Sequence, residues 1–132
     1  MSVGILLVTH EGIGAKLIAV IEAICKQIMP KLDPVSVPSD LNSGALGKYA
    51  HLIPDAMPER DQGDGVLVLT DVFGATPDNL PRLFNHECNA RVVSGINLSM
   101  PLRILNYAQQ SLEESCQTAL NGGRNGVKQD RE

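Results

Sequence analysis

The sequence predicts an α/β fold, in which a parallel sheet has helices on both faces. Residues 3–8 and 66–71 are nearly continuous apolar runs, typical of strands that are buried on both sides. Segments with helical spacing alternate with these strands, as parallel sheets require. Aromatic residues make up only 3% of the chain, so Val, Ile, Leu and Ala must build the core. The length of 132 residues predicts a single domain, residues 1–132.

The first predicted strand covers residues 3–8 and leads directly to His10. The helix after it has apolar side chains at helical spacing and stops at Pro30, which cannot continue a helix. These apolar positions are Ile13, Leu17, Ile21, Ile24 and Ile28. A shorter apolar stretch around Val35 and Val37 predicts the second strand.

A second helix is expected to begin near Asp40 or Asn42, either of which can cap it, and to run to about Ile53. A loop rich in Pro, Asp and Gly then leads over residues 54–65 to the third strand, residues 66–71.

The last third of the chain continues the alternation of helices and strands. Thr76 is suited to cap a helix whose first residue is Pro77 and which extends to about His86. Gly122 and Gly123 are expected to end the final helix. The other elements predicted here are a strand over residues 90–94 and helices over residues 101–110 and 112–120.

Composition excludes several classes of function. The chain has 11 basic and 15 acidic side chains, a net charge of -4, which disfavours nucleic acid as a partner. No apolar run approaches the roughly 20 residues of a membrane span, and no signal peptide is recognisable, so a cytoplasmic protein is expected. Cys25, Cys88 and Cys116 have no paired spacing and are interpreted as reduced packing residues.

Two polar residues follow buried strands that should be neighbours in the sheet. His10 ends the first strand and Asp71 ends the third, and ligands of such sheets collect beyond the carboxyl ends of the strands. A carboxylate that accepts the N–H of one ring nitrogen leaves the other nitrogen as a nucleophile. The pair is therefore predicted to attack a phosphorus or acyl centre.

The residues after Asp71 could bind the anion in such a reaction. The backbone amides of Gly74, Ala75 and Thr76 open a predicted helix, whose positive end favours an anion. Each of these features also has a simpler interpretation, as a solvated histidine, a turn aspartate or an ordinary helix start. Their coincidence at one sheet edge favours the functional interpretation.

Two other patterns are weaker. Residues 12–17 almost match the dinucleotide-binding fingerprint, but Leu17 stands where a small residue is needed. His86 and Cys88 have a spacing that could bind a metal, but no second pair completes a tetrahedral set, so no metal is expected. His51 is interpreted as a surface residue, and Glu11 as pointing to solvent, since it would repel an incoming anion.

Four stretches resemble one family in order along the whole chain. They are VGILLVTH (residues 3–10), DVFGATPDN (71–79), VSGINLSMP (93–101) and GRNGV (123–127). Together they resemble the enzyme IIA component of the mannose family of the bacterial phosphoenolpyruvate-dependent sugar phosphotransferase system (PTS). The resemblance implies a doubly wound sheet of order 2-1-3-4. It also implies a short antiparallel strand, within a tail of residues 124–132, that is exchanged between the subunits of a homodimer.

The resemblance further implies a phosphoryl carrier that needs no cofactor. His10 would accept the phosphoryl group from the phosphocarrier protein HPr and pass it to a separate IIB component, and Asp71 would hold its ring. Gly74, Ala75 and Thr76 would form the phosphate-binding loop, in which Ala75 replaces a glycine that the family often has. Without a IIB partner, the phosphorylation state of His10 would be regulatory. Any membrane contact would be indirect, through a permease complex, and no feature names a sugar.

Three alternatives remain open. The first is the phosphotransfer subunit of a dihydroxyacetone kinase, which is similar in fold and has a histidine that matches His10. A signalling receiver would be phosphorylated on Asp71, but would need further acidic residues after the first strand to hold magnesium. A binding module without phosphotransfer is the third.

Overall fold

Four parallel strands form one sheet within residues 3–25, 32–37, 63–84, 89–107 and 109–131, which are the residues that the computed structural model describes. The strands are β1 (Gly4–His10), β2 (Leu32–Val37), β3 (Val66–Thr70) and β4 (Ala90–Val93). Their order across the sheet is β2-β1-β3-β4, and every neighbouring pair is parallel. The predicted fold class and strand order are thus confirmed.

Four helices flank the sheet in the described part of the chain: α1 (Ile13–Cys25), α2 (Thr76–Phe84), α3 (Ser99–Leu105) and α4 (Leu112–Asn125). The side chains of β1 and β3 alternate between two apolar clusters. Leu7 and Leu69 pack in the cluster that includes side chains of α1, α3 and α4, whereas Leu6 and Val68 pack in the cluster that includes α2. All four are at most 1% exposed. The continuous apolar runs therefore correspond to strands buried on both faces.

The face that α1 presents to the sheet is only in part the expected one. Ile18 and Ile21 are buried, together with Gly14, which lies against β1. Ile13 and Ile24 are 44% and 54% exposed. The helix carries apolar side chains on more than one side. The predicted positions therefore include Leu17 and Ile21, which pack against or in the core, and also the two exposed isoleucines.

Two helix starts also differ. The helix predicted over residues 101–110 is α3, which begins at Ser99 and ends at Leu105. The Asn97 side chain accepts a hydrogen bond from the Met100 amide at 3.1 Å, which favours an earlier start. The helix α2 begins at Thr76 itself, so Thr76 is its first residue and not its cap. The helix predicted to end near Ile53 lies outside the described residues, as does the predicted end of α2 near His86.

The two glycines expected to stop the last helix lie inside it. The helix α4 continues through Gly122 and Gly123 to Asn125. A Cβ atom at Gly122 would lie 2.7 Å from the Arg103 Cβ, and one at Gly123 would lie 2.7 Å from the Met100 Cε. The glycines are therefore explained by close packing of α4 on α3, and the prediction of a helix stop was wrong.

This packing reverses the usual effect of a glycine-to-alanine change. In a helix interior such a change normally stabilises by about 1 kcal/mol. We expect Gly122→Ala to destabilise the protein by about 1–3 kcal/mol, because the new methyl group overlaps the side chain of Arg103. Urea unfolding measures the difference. Asn121→Ala, one residue earlier on an exposed position, is the control and should be neutral or stabilising. A Gly122→Ala variant more stable than the wild type would contradict this packing.

The C-terminal tail starts later than predicted. Arg124 and Asn125 belong to α4, so a strand cannot begin at Arg124. The described residues 127–131 form no strand within this chain. Exchange of a strand between two subunits stays a prediction.

Among the described helices, none combines the length and the apolar character that crossing a membrane requires.

Candidate functional site

The sheet brings together the two residues predicted to carry the chemistry. The strands β1 and β3 are parallel neighbours, with Val8 opposite Thr70. His10 is the last residue of β1, and Asp71 directly follows β3. Both side chains therefore lie at the carboxyl edge of the sheet, where ligands of this type of fold bind.

The Asp71 carboxylate holds His10 at two points. Its Oδ2 atom lies 2.6 Å from His10 Nδ1 and accepts a 2.8 Å hydrogen bond from the His10 amide. The other oxygen, Oδ1, accepts a hydrogen bond from the Val72 amide at 3.0 Å. Backbone and ring of the histidine are thus fixed by the same oxygen, which leaves the imidazole little freedom to turn.

The environment of Asp71 keeps it ionised. Burial on its own raises the pKa of the carboxyl, but the hydrogen bonds from the His10 amide, the His10 ring and the Val72 amide outweigh this effect. The pKa of Asp71 is consequently held below its usual value of 3.8. An ionised carboxylate can only accept, so the proton between the pair belongs to Nδ1 of His10.

With Nδ1 protonated, the lone pair of a neutral His10 ring is on Nε2. The His10 side chain is 32% exposed, whereas that of Asp71 is 8% exposed. His10 is therefore the accessible member of the pair and the Asp71 carboxylate is the enclosed one. The Nε2 lone pair of such a ring can attack an electrophilic phosphorus while Nδ1 keeps its proton.

The predicted phosphate-binding residues lie in the loop between β3 and α2. The Gly74 amide donates to Asp78 Oδ2 at 3.0 Å, and the Ala75 amide donates to the Val72 carbonyl at 3.2 Å. Gly74 has a φ of +86°, a conformation that favours glycine. The loop is therefore tied to itself and to α2, and Thr76 begins the helix. Anion binding by these three residues stays a prediction.

Sequence reasoning missed a buried acid behind this loop. The Asp78 side chain is fully buried and accepts hydrogen bonds from Thr70 Oγ1 at 2.6 Å, from the Gly74 amide and from Arg82 Nε at 2.9 Å. The four-residue spacing of Asp78 and Arg82, typical of an ion pair on one helix, was a visible signal.

These partners determine the charge of Asp78. Burial raises the pKa of its carboxyl, but the hydrogen bonds from Arg82, Thr70 and the Gly74 amide, together with the charge of Arg82, lower it further than burial raises it. The net result is a pKa below the usual 3.8. Asp78 is therefore ionised at neutral pH and paired with Arg82.

A lowered pKa links Asp78 to stability at low pH. A group whose pKa is lower in the folded state stabilises the fold above its unfolded value, here 3.8, and this contribution is lost as the pH falls through the folded value. We expect the wild type to have a higher free energy of unfolding than Asp78→Asn at about pH 7. This difference should become smaller as the pH falls below about 3.8. Urea unfolding of both proteins across this range measures it. An equal difference at about pH 7 and about pH 2.5 would contradict the assignment.

The start of α1 lies beside His10. The Gly14 amide donates to Thr9 Oγ1 at 2.9 Å, and a Cβ atom at Gly14 would lie 3.2 Å from that oxygen. The close approach of helix and strand is thus at Gly14, whereas Leu17, the mismatch in the nucleotide fingerprint, packs at the edge of the core. Glu11 is exposed, as predicted.

Three further residues were singled out in the sequence. His51, His86 and Cys88 lie outside the described residues. Within the described residues, no group of three or more His, Cys, Asp and Glu side chains is arranged to hold a metal ion.

Several solved structures that are similar to this chain are PTS proteins. The mannose/sorbose-specific IIA subunit from Enterococcus faecalis has 23% identity and a TM-score of 0.80, with 100% of this chain and 97% of that one covered. The PTS IIA protein associated with the fucose utilization operon of Streptococcus pneumoniae has 20% identity and a TM-score of 0.77, with 98% and 96% covered. At these identities the likeness establishes the fold.

Sequence comparison adds one curated relative and a family. The relative, "Putative phosphotransferase enzyme IIA component YadI" of Escherichia coli K12, is 36% identical over 61 residues, which are 46% of this chain and 40% of that protein. The model of the EIIA-man family, described as PTS system fructose IIA component, matches residues 4–120. This match spans the whole sheet, His10 and Asp71 included, and most of α4. The chain therefore belongs to the EIIA-man family of PTS IIA components.

Proposed function

We propose that this protein is a phosphoryl carrier of the sugar PTS that is phosphorylated on His10. The observation that carries the proposal is the 2.6 Å contact between His10 Nδ1 and the buried Asp71 carboxylate, with the ring otherwise accessible. Membership of a family of PTS IIA components, which are phosphotransferases, supports the same chemistry.

The proposed transfer step is compatible with the hydrogen bonds of His10. The lone pair on His10 Nε2 attacks the phosphorus of a donor phosphohistidine in line, forming a new P–N bond. The donor's own P–N bond breaks, and the donor ring nitrogen keeps that electron pair. Nδ1 retains its proton, and the phosphorylated ring, now cationic, is paired with ionised Asp71. Catalysis in such transfers comes mainly from positioning and charge stabilisation.

The partners in this proposal are proteins of the same system. HPr is the proposed donor and a separate IIB component is the proposed acceptor, in keeping with the family. Gly74, Ala75 and Thr76 are proposed to contact the phosphoryl oxygens. Since the amides of Gly74 and Ala75 already donate within the loop, each would have to share its hydrogen bond with a phosphoryl oxygen. A homodimer formed through the C-terminal tail is the proposed assembly. The same carrier step without a IIB acceptor would make the phosphorylated protein a regulatory signal.

The geometry favours His10 over Asp71 as the phosphorylated residue. A receiver would need an accessible aspartate, but the Asp71 side chain is 8% exposed and both of its oxygens accept hydrogen bonds. An acyl phosphate there would break its contacts with His10. These contacts suit Asp71 to orient the His10 nucleophile and not to accept the phosphoryl group itself.

Incubation with 32P-labelled phospho-HPr tests the proposal. We expect label on the wild type that is stable to base and labile to acid, as phosphohistidine is, and that mass spectrometry maps to the peptide containing His10. Onward transfer of the label to a IIB domain supports a role in sugar uptake. Transfer only to another subunit of a dihydroxyacetone kinase supports the role of that kinase's phosphotransfer subunit. Label that is acid-stable or absent would overturn the phosphohistidine proposal.

A further inference from the structure

The buried carboxylate of Asp78 lies at the centre of the loop that carries Asp71. One of its oxygens accepts from the hydroxyl of Thr70, the residue directly before Asp71, and the other accepts from the Gly74 amide. A single side chain of α2 thus connects both ends of the turn that follows β3.

Arg82 extends this connection to the surface of the loop. Its Nε donates to Asp78 Oδ2 at 2.9 Å, and its guanidinium lies over the Phe73 ring, 5.2 Å from the ring centroid. The Phe73 side chain is otherwise largely in solvent, with the residue 74% exposed. Arg82 therefore neutralises the buried charge and also holds the loop residue that lies two positions after Asp71.

Further hydrogen bonds hold the backbone of the loop and the end of β3. The Asn79 side-chain amide donates to the Gly74 carbonyl at 2.9 Å, and the Asp78 amide donates to the Ala75 carbonyl at 3.0 Å. The Thr70 carbonyl accepts from the Ile96 amide at 2.9 Å. The link between β3 and the tip of the loop, by contrast, is made by the Asp78 side chain, through its hydrogen bonds with Thr70 and Gly74.

We propose that Asp78 is a positioning residue for phosphoryl transfer. It holds the loop between β3 and α2 so that Asp71 keeps the His10 ring in its reactive orientation. The proposal rests on the function proposed above. Loss of the Asp78 carboxylate leaves the Thr70 hydroxyl and the Gly74 amide without an acceptor, and the loop must rearrange to satisfy them. A small displacement of Asp71 then misdirects the imidazole, and transfer is sensitive to such displacements.

Asp78→Ala tests this role, with Asp78→Asn as the conservative variant. Asparagine keeps the shape: its oxygen can accept from the Gly74 amide, and its amide group can donate to the Thr70 hydroxyl oxygen. It lacks the charge that pairs with Arg82. At saturating phospho-HPr we expect Asp78→Ala to slow phosphorylation of His10 by about tenfold or more, with KM for the donor changed less than about twofold. Asp78→Asn should recover a substantial part of the rate.

Ser111→Ala is the control for stability alone. It removes the cap of α4, where the Ser111 hydroxyl accepts from the Glu114 amide at 3.2 Å, and touches no residue of the site. We expect this variant to have a lower Tm and an unchanged transfer rate. Assays are run well below the lowest Tm of the set. A rate for folded Asp78→Ala within about twofold of the wild type would overturn the proposal.

A second readout needs no phosphoryl donor. In 15N NMR spectra of the His10 ring, the wild type should show protonated Nδ1 and unprotonated Nε2 at high pH, and Asp78→Ala should show a shifted tautomer ratio, whereas Ser111→Ala should match the wild type. Ring signals that are the same in Asp78→Ala and the wild type would overturn the proposal. If the wild type takes no label on His10, the proposed function fails, and the NMR comparison still decides whether Asp78 orients the His10–Asp71 pair.

Discussion

Replacement of His10 by alanine is expected to abolish phosphorylation of the protein completely. The variant lacks the Nε2 lone pair, and the described part of the chain places no other histidine at the carboxyl edge of the sheet. The fold should persist, because His10 is the partly exposed last residue of β1 and not part of either apolar cluster. The measurement is acid-labile 32P incorporation from phospho-HPr, with circular dichroism to establish folding.

The chain supplies matched controls for this experiment. It contains three histidines, so His51→Ala and His86→Ala remove the same chemical group elsewhere. We expect both variants to be labelled like the wild type. Residual acid-labile label on His10→Ala, or its loss in one of the other two variants instead, would assign the phosphoryl group to a different residue.

Replacement of Asp71 by asparagine is expected to slow phosphorylation of His10 by about 10²-fold or more. If the asparagine amide group faces Nδ1, it donates, and the ring proton moves to Nε2, where it occupies the nucleophilic lone pair. If the carbonyl faces Nδ1 instead, the amide group is set against the Val72 amide, another donor. In either orientation the negative charge that stabilises the phosphorylated ring is lost. Single-turnover transfer from phospho-HPr measures the rate.

Glu11→Gln is the matched control for charge near the site. Glu11 follows His10 directly but is exposed. Removing its charge should leave the transfer rate within about twofold, because exposed charges are strongly screened. Equal slowing by Asp71→Asn and Glu11→Gln would indicate a general effect of charge and would contradict an orienting role for Asp71.

The strands and the meeting of His10 with Asp71 could be predicted because both follow from patterns along the sequence. Fully buried parallel strands require long apolar runs, and the runs at residues 3–8 and 66–71 correspond to β1 and β3. Once those two strands are neighbours, the residues at their ends meet. The proximity of His10 and Asp71 therefore followed from the adjacency of β1 and β3.

Other features depended on packing between segments, which spacing does not reveal. Gly122 is inside α4 because Arg103 of α3 leaves no space for a side chain, although a glycine pair usually signals a helix end. Asp78 is buried because Thr70, Gly74 and Arg82 each donate to it, and three such donors can be recognised only when the loop has been folded. Aspartates mostly lie at the protein surface, so burial of this one is not expected from its residue type.

The position of phosphorus on the His10 ring tests the central claim most directly. In 31P and 15N NMR spectra of the phosphorylated, 15N-histidine-labelled protein, one-bond coupling identifies the ring nitrogen that carries the phosphoryl group. Since Asp71 holds Nδ1 at 2.6 Å, we predict coupling to Nε2, with Nδ1 still protonated. Coupling to Nδ1 would require the His10–Asp71 contact to break and would contradict the proposed mechanism.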